Sequence, residues 1–211
     1  MPLTKEIVLN QAQESLVSQK NLRIATINPE YLLVGRGNEQ FRESLKRADL
    51  HLVDGFGIQF VSWLRGVRLS RVTGAELLPE LLTLSEQQNI PVVIYNKSEG
   101  LSSEQDIVRV LEKKYPHLQV HYNTEPIEYS LVLCNYGAPE QELLLDTLET
   151  PGIKIGIGGA LDYLTGKQSR APLFLQNSGL EWLWRLIHQP KRLKRIWRAV
   201  VIFPLRALFS K

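Results

Sequence analysis

Four polar clusters, three of them containing glycine, each lie at the end of an apolar run: Thr26-Ile27-Asn28-Pro29, Asp54-Gly55-Phe56-Gly57, Tyr136-Gly137-Ala138-Pro139-Glu140-Gln141 and Gly156-Ile157-Gly158-Gly159-Ala160-Leu161-Asp162. Asp54 comes directly after Leu52-Val53, so its carboxylate would project from a strand end, beside glycines that let backbone approach a ligand closely. There it could act as a general base toward a hydroxyl, with partial desolvation raising its basicity. An Asp-Gly step after a strand is also ordinary turn chemistry, and taken alone that is the blander reading. Asn28 before Pro29 carries the same ambiguity, and Thr26 is either a strand-end hydroxyl or a satisfied core threonine.

The Gly156-to-Gly159 segment could place backbone amides against a diphosphate, with Asp162 accepting hydrogen bonds from a ribose. The bland alternative is that its glycines simply permit a tight strand-to-helix turn. As half of a dinucleotide fingerprint it lacks the following strand and acidic ribose ligand, which leaves a nicotinamide-dependent oxidoreductase a weak competitor. The Pro139 turn offers a second helix start whose first amides can face an anion, with Glu140 and Gln141 at its mouth. No Asp-x-Asp pair occurs, and His51, His117, His121 and His188 have no spacing suited to a metal. No metal is therefore expected, and a diphosphate handled here would have to be met by arginines and helix ends.

In an open parallel sheet, ligands bind beyond the carboxyl ends of the strands, which is where all four clusters would sit. Short β-type runs at 22–28, 50–53, 91–95, 118–122, 130–135 and 153–158 alternate with helical patterns at 4–20, 39–48, 73–88, 101–114 and 139–148. Thr73-Gly74-Ala75-Glu76 has the form of a capping box, and Ser178-Gly179-Leu180-Glu181 has it again before the C-terminal segment. The expected fold is α/β: a compact, Rossmann-like parallel sheet flanked by helices over 1–177, with a basic amphipathic helical appendage over 178–211. Pro190 and Pro204 are expected to cut that appendage into short pieces.

Charge divides the chain at the same place. The first 184 residues carry 17 Lys and Arg against 22 Asp and Glu, a net of −5, while the last 27 carry +8. Trp182, Trp184, Trp197, Phe203, Leu205, Leu208 and Phe209 are interleaved with those cations, the composition of a helix lying at an anionic membrane surface. Phosphate neutralisation on a nucleic acid would also explain the cations, but the large apolar residues suit lipid better and the body is acidic. Val200 to Phe203 is flanked by Arg198 and Arg206, so no run approaches the roughly 20 apolar residues of a membrane span. The first 19 residues lack the apolar core of a secretion signal, and Cys134 is the single cysteine, in an apolar run where a buried thiol is expected. A reducing cytoplasmic setting follows.

Taken in order, Thr26-Ile27-Asn28, Val53-Asp54-Gly55-Phe56-Gly57, Arg71 through Leu77, Gly137-Ala138-Pro139-Glu140-Gln141-Glu142, Gly156 through Asp162, Arg170-Ala171-Pro172 and Gly179-Leu180-Glu181-Trp182 with Arg185 and Pro190 resemble the WecG/TagA/CpsF family of glycosyltransferases. The resemblance runs from about Thr26 to Arg195. It implies a cytoplasmic enzyme, peripheral on the inner face of the membrane. Such an enzyme moves a sugar of the N-acetylmannosamine type from a UDP-sugar to a polyprenyl-diphosphate-linked N-acetylglucosamine, with inversion, without metal or cofactor. It further implies Asp54 as base, Thr26 and Asn28 beside it, Gly158-Gly159 on the diphosphate and Asp162 on the ribose. Gly137 and Gln141 would lie near donor or acceptor, with Arg71 as a pocket cation. Arg185, Arg192 and Arg195 would belong to an appendage folding over the pocket. Apolar surface uncovered when that appendage swings away would favour self-association.

Overall fold

The computed structural model describes residues 3–97, 100–126, 128–178, 180–188 and 193–209. Six strands form one all-parallel sheet: β1 (Leu22–Ile27), β2 (Leu50–Val53), β3 (Val92–Tyr95), β4 (Val120–Tyr122), β5 (Ser130–Cys134) and β6 (Gly152–Gly156), in the spatial order β2-β1-β6-β5-β3-β4. The last strand thus lies at the centre, paired with β1 through Ile24↔Ile155 and with β5 through Leu133↔Ile155. Strands buried on both faces read as near-continuous apolar runs, which is why these were legible as strands.

One face carries α1 (Lys5–Ser18), α5 (Gly74–Gln87), α6 (Glu104–Lys114) and α8 (Ala160–Leu164), which bury the main core around Ile24, Leu52, Ile94, Leu131, Leu133 and Ile155. On the other face lie α3 (Glu39–Lys46) and α7 (Glu140–Thr147), over Ala25, Val93, Val132 and Cys134. The expected capping box of α5 is formed, Thr73 Oγ1 accepting from the Glu76 amide and the Glu76 carboxylate accepting from the Thr73 amide. A second box, Ser103 with Asp106, starts α6 three residues later than its periodicity predicts.

Two helices that bear on the cavity have no clear sequence signal. The first, α2 (Pro29–Gly35), is a single short run, and the second, α4 (Phe56–Leu64), is apolar nearly all round. After α9 (Leu173–Asn177) comes α10 (Glu181–His188). The Ser178 box is not made: its hydroxyl donates to the Leu175 carbonyl at the end of α9, and Glu181 pairs with Arg71 instead. Nor does Pro204 divide the C-terminal run. From α11 (Leu193–Trp197) the chain widens into a π turn at Arg198–Ile202 and continues as α12 (Phe203–Phe209). The Phe203 amide reaches back to the Arg198 carbonyl, a register shift that accommodates the proline, which has no amide to donate. Pro190 lies outside the described residues. No described helix is long and apolar enough to cross a membrane.

Candidate active site

Where the strands end, a cavity of about 590 Å³ opens. Thr26, Asn28, Asp54, Arg71, Gly137, Gln141, Gly158, Gly159 and Asp162 all line it, so the sheet topology assembles residues drawn from five separate stretches of chain. Arg192 and the side chains of Arg185 and Arg195 lie outside what is described.

The floor is a set of hydrogen bonds between neighbouring strand ends. Thr26 is buried and donates its hydroxyl proton to the Gly156 carbonyl at 2.8 Å, tying β1 to β6. Asn28 uses its Oδ1 to cap α2, accepting from the Glu30 and Tyr31 amides at 2.9 and 3.3 Å. Both residues therefore have structural work at the cavity edge. Asp54 is half-buried at the end of β2, its amide fixed by the Ile27 carbonyl at 2.8 Å. That bond continues the β1–β2 ladder one residue further and sets the Asp54 backbone at the rim. Burial first, then the neighbouring Glu142, holds the Tyr31 phenol well above its ordinary value, and Asp54 adds a smaller push in the same direction.

Gln141 and Glu142 lie just under the floor. Gln141 Oε1 accepts from the Gly137 amide at 3.0 Å, while its Nε2 donates to the Tyr31 hydroxyl and to Glu142 Oε1. Tyr31 in turn donates to Glu142 Oε1 at 3.1 Å. Glu142 is fully buried, and its carboxyl is pushed above its ordinary value by burial, against the opposing pull of Gln141, Arg23 and Tyr31. Gly156 makes room for this pair: a β-carbon there would fall 2.0 Å from Gln141 Nε2 and 2.6 Å from Glu142 Oε1. Gln141, expected from the resemblance to touch a substrate, is thus engaged mainly in holding the Gly137 turn. The Ala138–Pro139 peptide in that turn is cis.

Across the cavity, Asp162 Oδ1 accepts from the Ser102 amide at 3.1 Å and the Ser102 hydroxyl at 2.8 Å, pinning the loop before α6. Its other oxygen lies on the side of Gly159. Among the described residues, the Gly158 and Gly159 amides donate to no protein acceptor, so both remain for an incoming anion.

Arg71 is held by Glu181 at 3.1 Å and Glu76 at 3.6 Å, and Arg170 by Glu76 at 3.3 Å. Two of the cations lining the cavity thus already carry carboxylate partners. Tyr31, Lys97, Tyr163, Glu181 and Trp182 also line it and were not singled out as site residues. The Pro29 helix start next to Asn28 was the available sign for Tyr31. The others depend on contacts between distant segments, which no local pattern announces. Cys134 is fully buried in β5, and burial pushes its thiol up to about 12, so it stays protonated and takes no nucleophilic part.

C-terminal helices supply the remaining wall through Trp182, Ile196, Ala199 and Val200. Gly57 makes their approach possible, since a β-carbon there would lie 2.8 Å from the Ala199 carbonyl oxygen. Phe203 is buried against Ile58 and Val61 of α4, and Arg65 donates to the Ala207 carbonyl.

A cavity with a carboxylate on one strand end and unbonded glycine amides on another suits transfer of a group between an anionic donor and a hydroxyl. The chain belongs to the WecG/TagA/CpsF family of glycosyl transferases, whose model matches residues 1–211. It is also 28% identical, over 207 residues, to the N-acetylglucosaminyldiphosphoundecaprenol N-acetyl-beta-D-mannosaminyltransferase of Bacillus spizizenii, covering 90% of this chain and 78% of the relative.

Proposed function

We propose that the protein transfers an N-acetylmannosamine-type sugar from a UDP-sugar to a polyprenyl-diphosphate-linked N-acetylglucosamine, in cell-surface polysaccharide synthesis. Asp54 takes the proton of the acceptor 4-hydroxyl while that oxygen bonds to C1 of the donor sugar. The bond from C1 to UDP breaks on the opposite face, UDP leaves with the electron pair, and the anomeric centre inverts. The observation that carries this reading is the common cavity shared by Asp54, the Gly158-Gly159 turn and Asp162. The two unbonded amides suit a diphosphate, and the outer oxygen of Asp162 suits a ribose hydroxyl.

No metal or cofactor enters this scheme; charge on the leaving diphosphate is met by backbone amides and by cations of the 178–211 appendage, Arg185, Arg192 and Arg195 among them. The same appendage, with eight cations and no acid after Glu181, docks the enzyme on the anionic inner face of the membrane. The relative's printed acceptor, a lipid diphosphate, supports that placement.

The test is UDP release from UDP-N-acetylmannosamine and a short-chain lipid-diphosphate N-acetylglucosamine, in chelator, for wild type and Asp54→Asn. Wild type is expected to turn over, and the variant to lose at least about 100-fold in kcat with its fold preserved. Undiminished turnover by the variant would remove Asp54 as base.

A further inference from the structure

Helix α4 leaves the cavity wall with an apolar stripe that is exposed and, among the described residues, covered by no other element. Phe56 lines the cavity; Phe60 and Trp63 follow at helical spacing, with Leu64 beside them. The Phe56 and Phe60 rings stack at 6.0 Å, and the Phe60 and Trp63 rings lie 6.4 Å apart. All four side chains are exposed, Trp63 by 60%. The opposite side of the same helix is spent on Phe203 and the C-terminal helices. From Phe56 to Trp63 the stripe extends about 10 Å along the helix axis.

We infer that this aromatic stripe is the seat of the acceptor's prenyl chain where it leaves the diphosphate, an inference that rests on the lipid-linked acceptor proposed above. Three observations select that occupant. The stripe is continuous with the cavity at Phe56, so a chain attached to a diphosphate in the cavity can pass onto it without crossing charged surface. No charged residue lies between Gly55 and Leu64, so the surface fits hydrocarbon rather than anionic headgroups, which the cationic C-terminal segment serves instead. A stripe of four side chains is also far short of the roughly 800 Å² per partner that a stable pair of protein surfaces buries. Seating the first prenyl units on α4 holds the diphosphate sugar at the cavity mouth, so that the 4-hydroxyl meets Asp54 from a fixed direction.

The test is calorimetric titration of the full chain, with UDP saturating and no membrane present, using inorganic diphosphate and farnesyl diphosphate below its aggregation concentration. Wild type is expected to bind the prenyl diphosphate at least about tenfold more tightly. Phe60→Ser/Trp63→Ser is expected to lose that preference while keeping its affinity for inorganic diphosphate. Phe60→Leu/Trp63→Phe is expected to retain most of it. Diphosphate binding by wild type without a prenyl preference would overturn the inference and leave the proposed reaction standing. A preference that survives in the serine variant would overturn it too, including the case where that variant instead loses binding to anionic vesicles or a self-association seen by sedimentation. Failure of wild type to bind either ligand would overturn the inference, while the reaction stands or falls separately on UDP release in the assay above.

Discussion

The cavity has two walls built on different principles. The wall at the strand ends is held by buried hydrogen bonds, Thr26 to Gly156 between β1 and β6 and Gln141 of α7 to Tyr31 of α2 and to its own neighbour Glu142, over a core that includes the fully buried Phe41. Among the described residues, the C-terminal wall is held by separate contacts: Phe203 against α4, the Ala199 carbonyl against Gly57, Arg65 on the Ala207 carbonyl, and the Arg71–Glu181 pair. A reaction centre needs the first kind of wall, because geometry must survive each turnover. A lipid-borne acceptor needs the second, because a few replaceable contacts can part and re-form. Local stability follows packing density, so the two walls should open at different free energies.

Replacing one buried phenylalanine in each wall gives the largest contrast. Phe41→Ala should cost about 3–5 kcal/mol and lower the main melting transition by more than about 6 °C. Phe203→Ala should move that transition by less than about 2 °C, yet speed tryptic cleavage within the basic C-terminal segment roughly tenfold. Calorimetry and timed proteolysis on both variants would check this. Equal melting losses would mean that the C-terminal helices belong to one cooperative core with the sheet.

A smaller effect is expected at the ion pair joining the walls. Arg71 also contacts Glu76, so its loss alone confounds two interactions. A double-mutant cycle of Arg71→Met and Glu181→Gln isolates the pair, and a coupling of about 1 kcal/mol is expected for side chains this sheltered. A coupling near zero would leave Phe203, the Gly57 contact and the Arg65 bond to Ala207 as the described contacts that hold the C-terminal helices in place.

The same division explains what could be read in the sequence. All six strands lay within a few residues of their expected places, and all four clusters reached one cavity, because apolar runs and strand-end glycines are local signals. Helix α4 was missed because apolar residues surround most of it, so no periodic face stands out. The Ser178 box failed because its hydroxyl closes α9 and Glu181 was claimed by Arg71, from a segment 110 residues away. Side-chain partnerships at long sequence separation decide whether a site residue faces a ligand or serves the fold. Asn28, expected beside the base, and Gln141, expected to touch donor or acceptor, show it: the Asn28 Oδ1 caps α2 and Gln141 holds the Gly137 turn.

The smallest expected effect probes the stiff wall itself. Burial holds the Glu142 carboxyl above its ordinary value, so the folded state keeps a proton that the unfolded chain has released. Its contribution to stability is therefore full below about pH 4.3 and is lost as pH rises through the folded value. Nearby Asp146 works in the opposite sense: the Arg47 guanidinium holds its carboxyl below the usual range, and that contribution is lost only as pH falls below about 3.9. The two windows do not overlap. Glu142→Gln should therefore flatten the decline of stability above about pH 4.3, by less than about 1.4 kcal/mol per pH unit, and leave the acid limb unchanged. Urea unfolding at several pH values, with Asp146→Asn alongside, measures both slopes. An unchanged neutral slope in Glu142→Gln would mean that Tyr31, Gln141 and Arg23 together hold the carboxylate ionised. The floor beneath the cavity would then hold a buried Arg23–Glu142 ion pair in place of a neutral carboxyl, with no net charge added to the stiff wall.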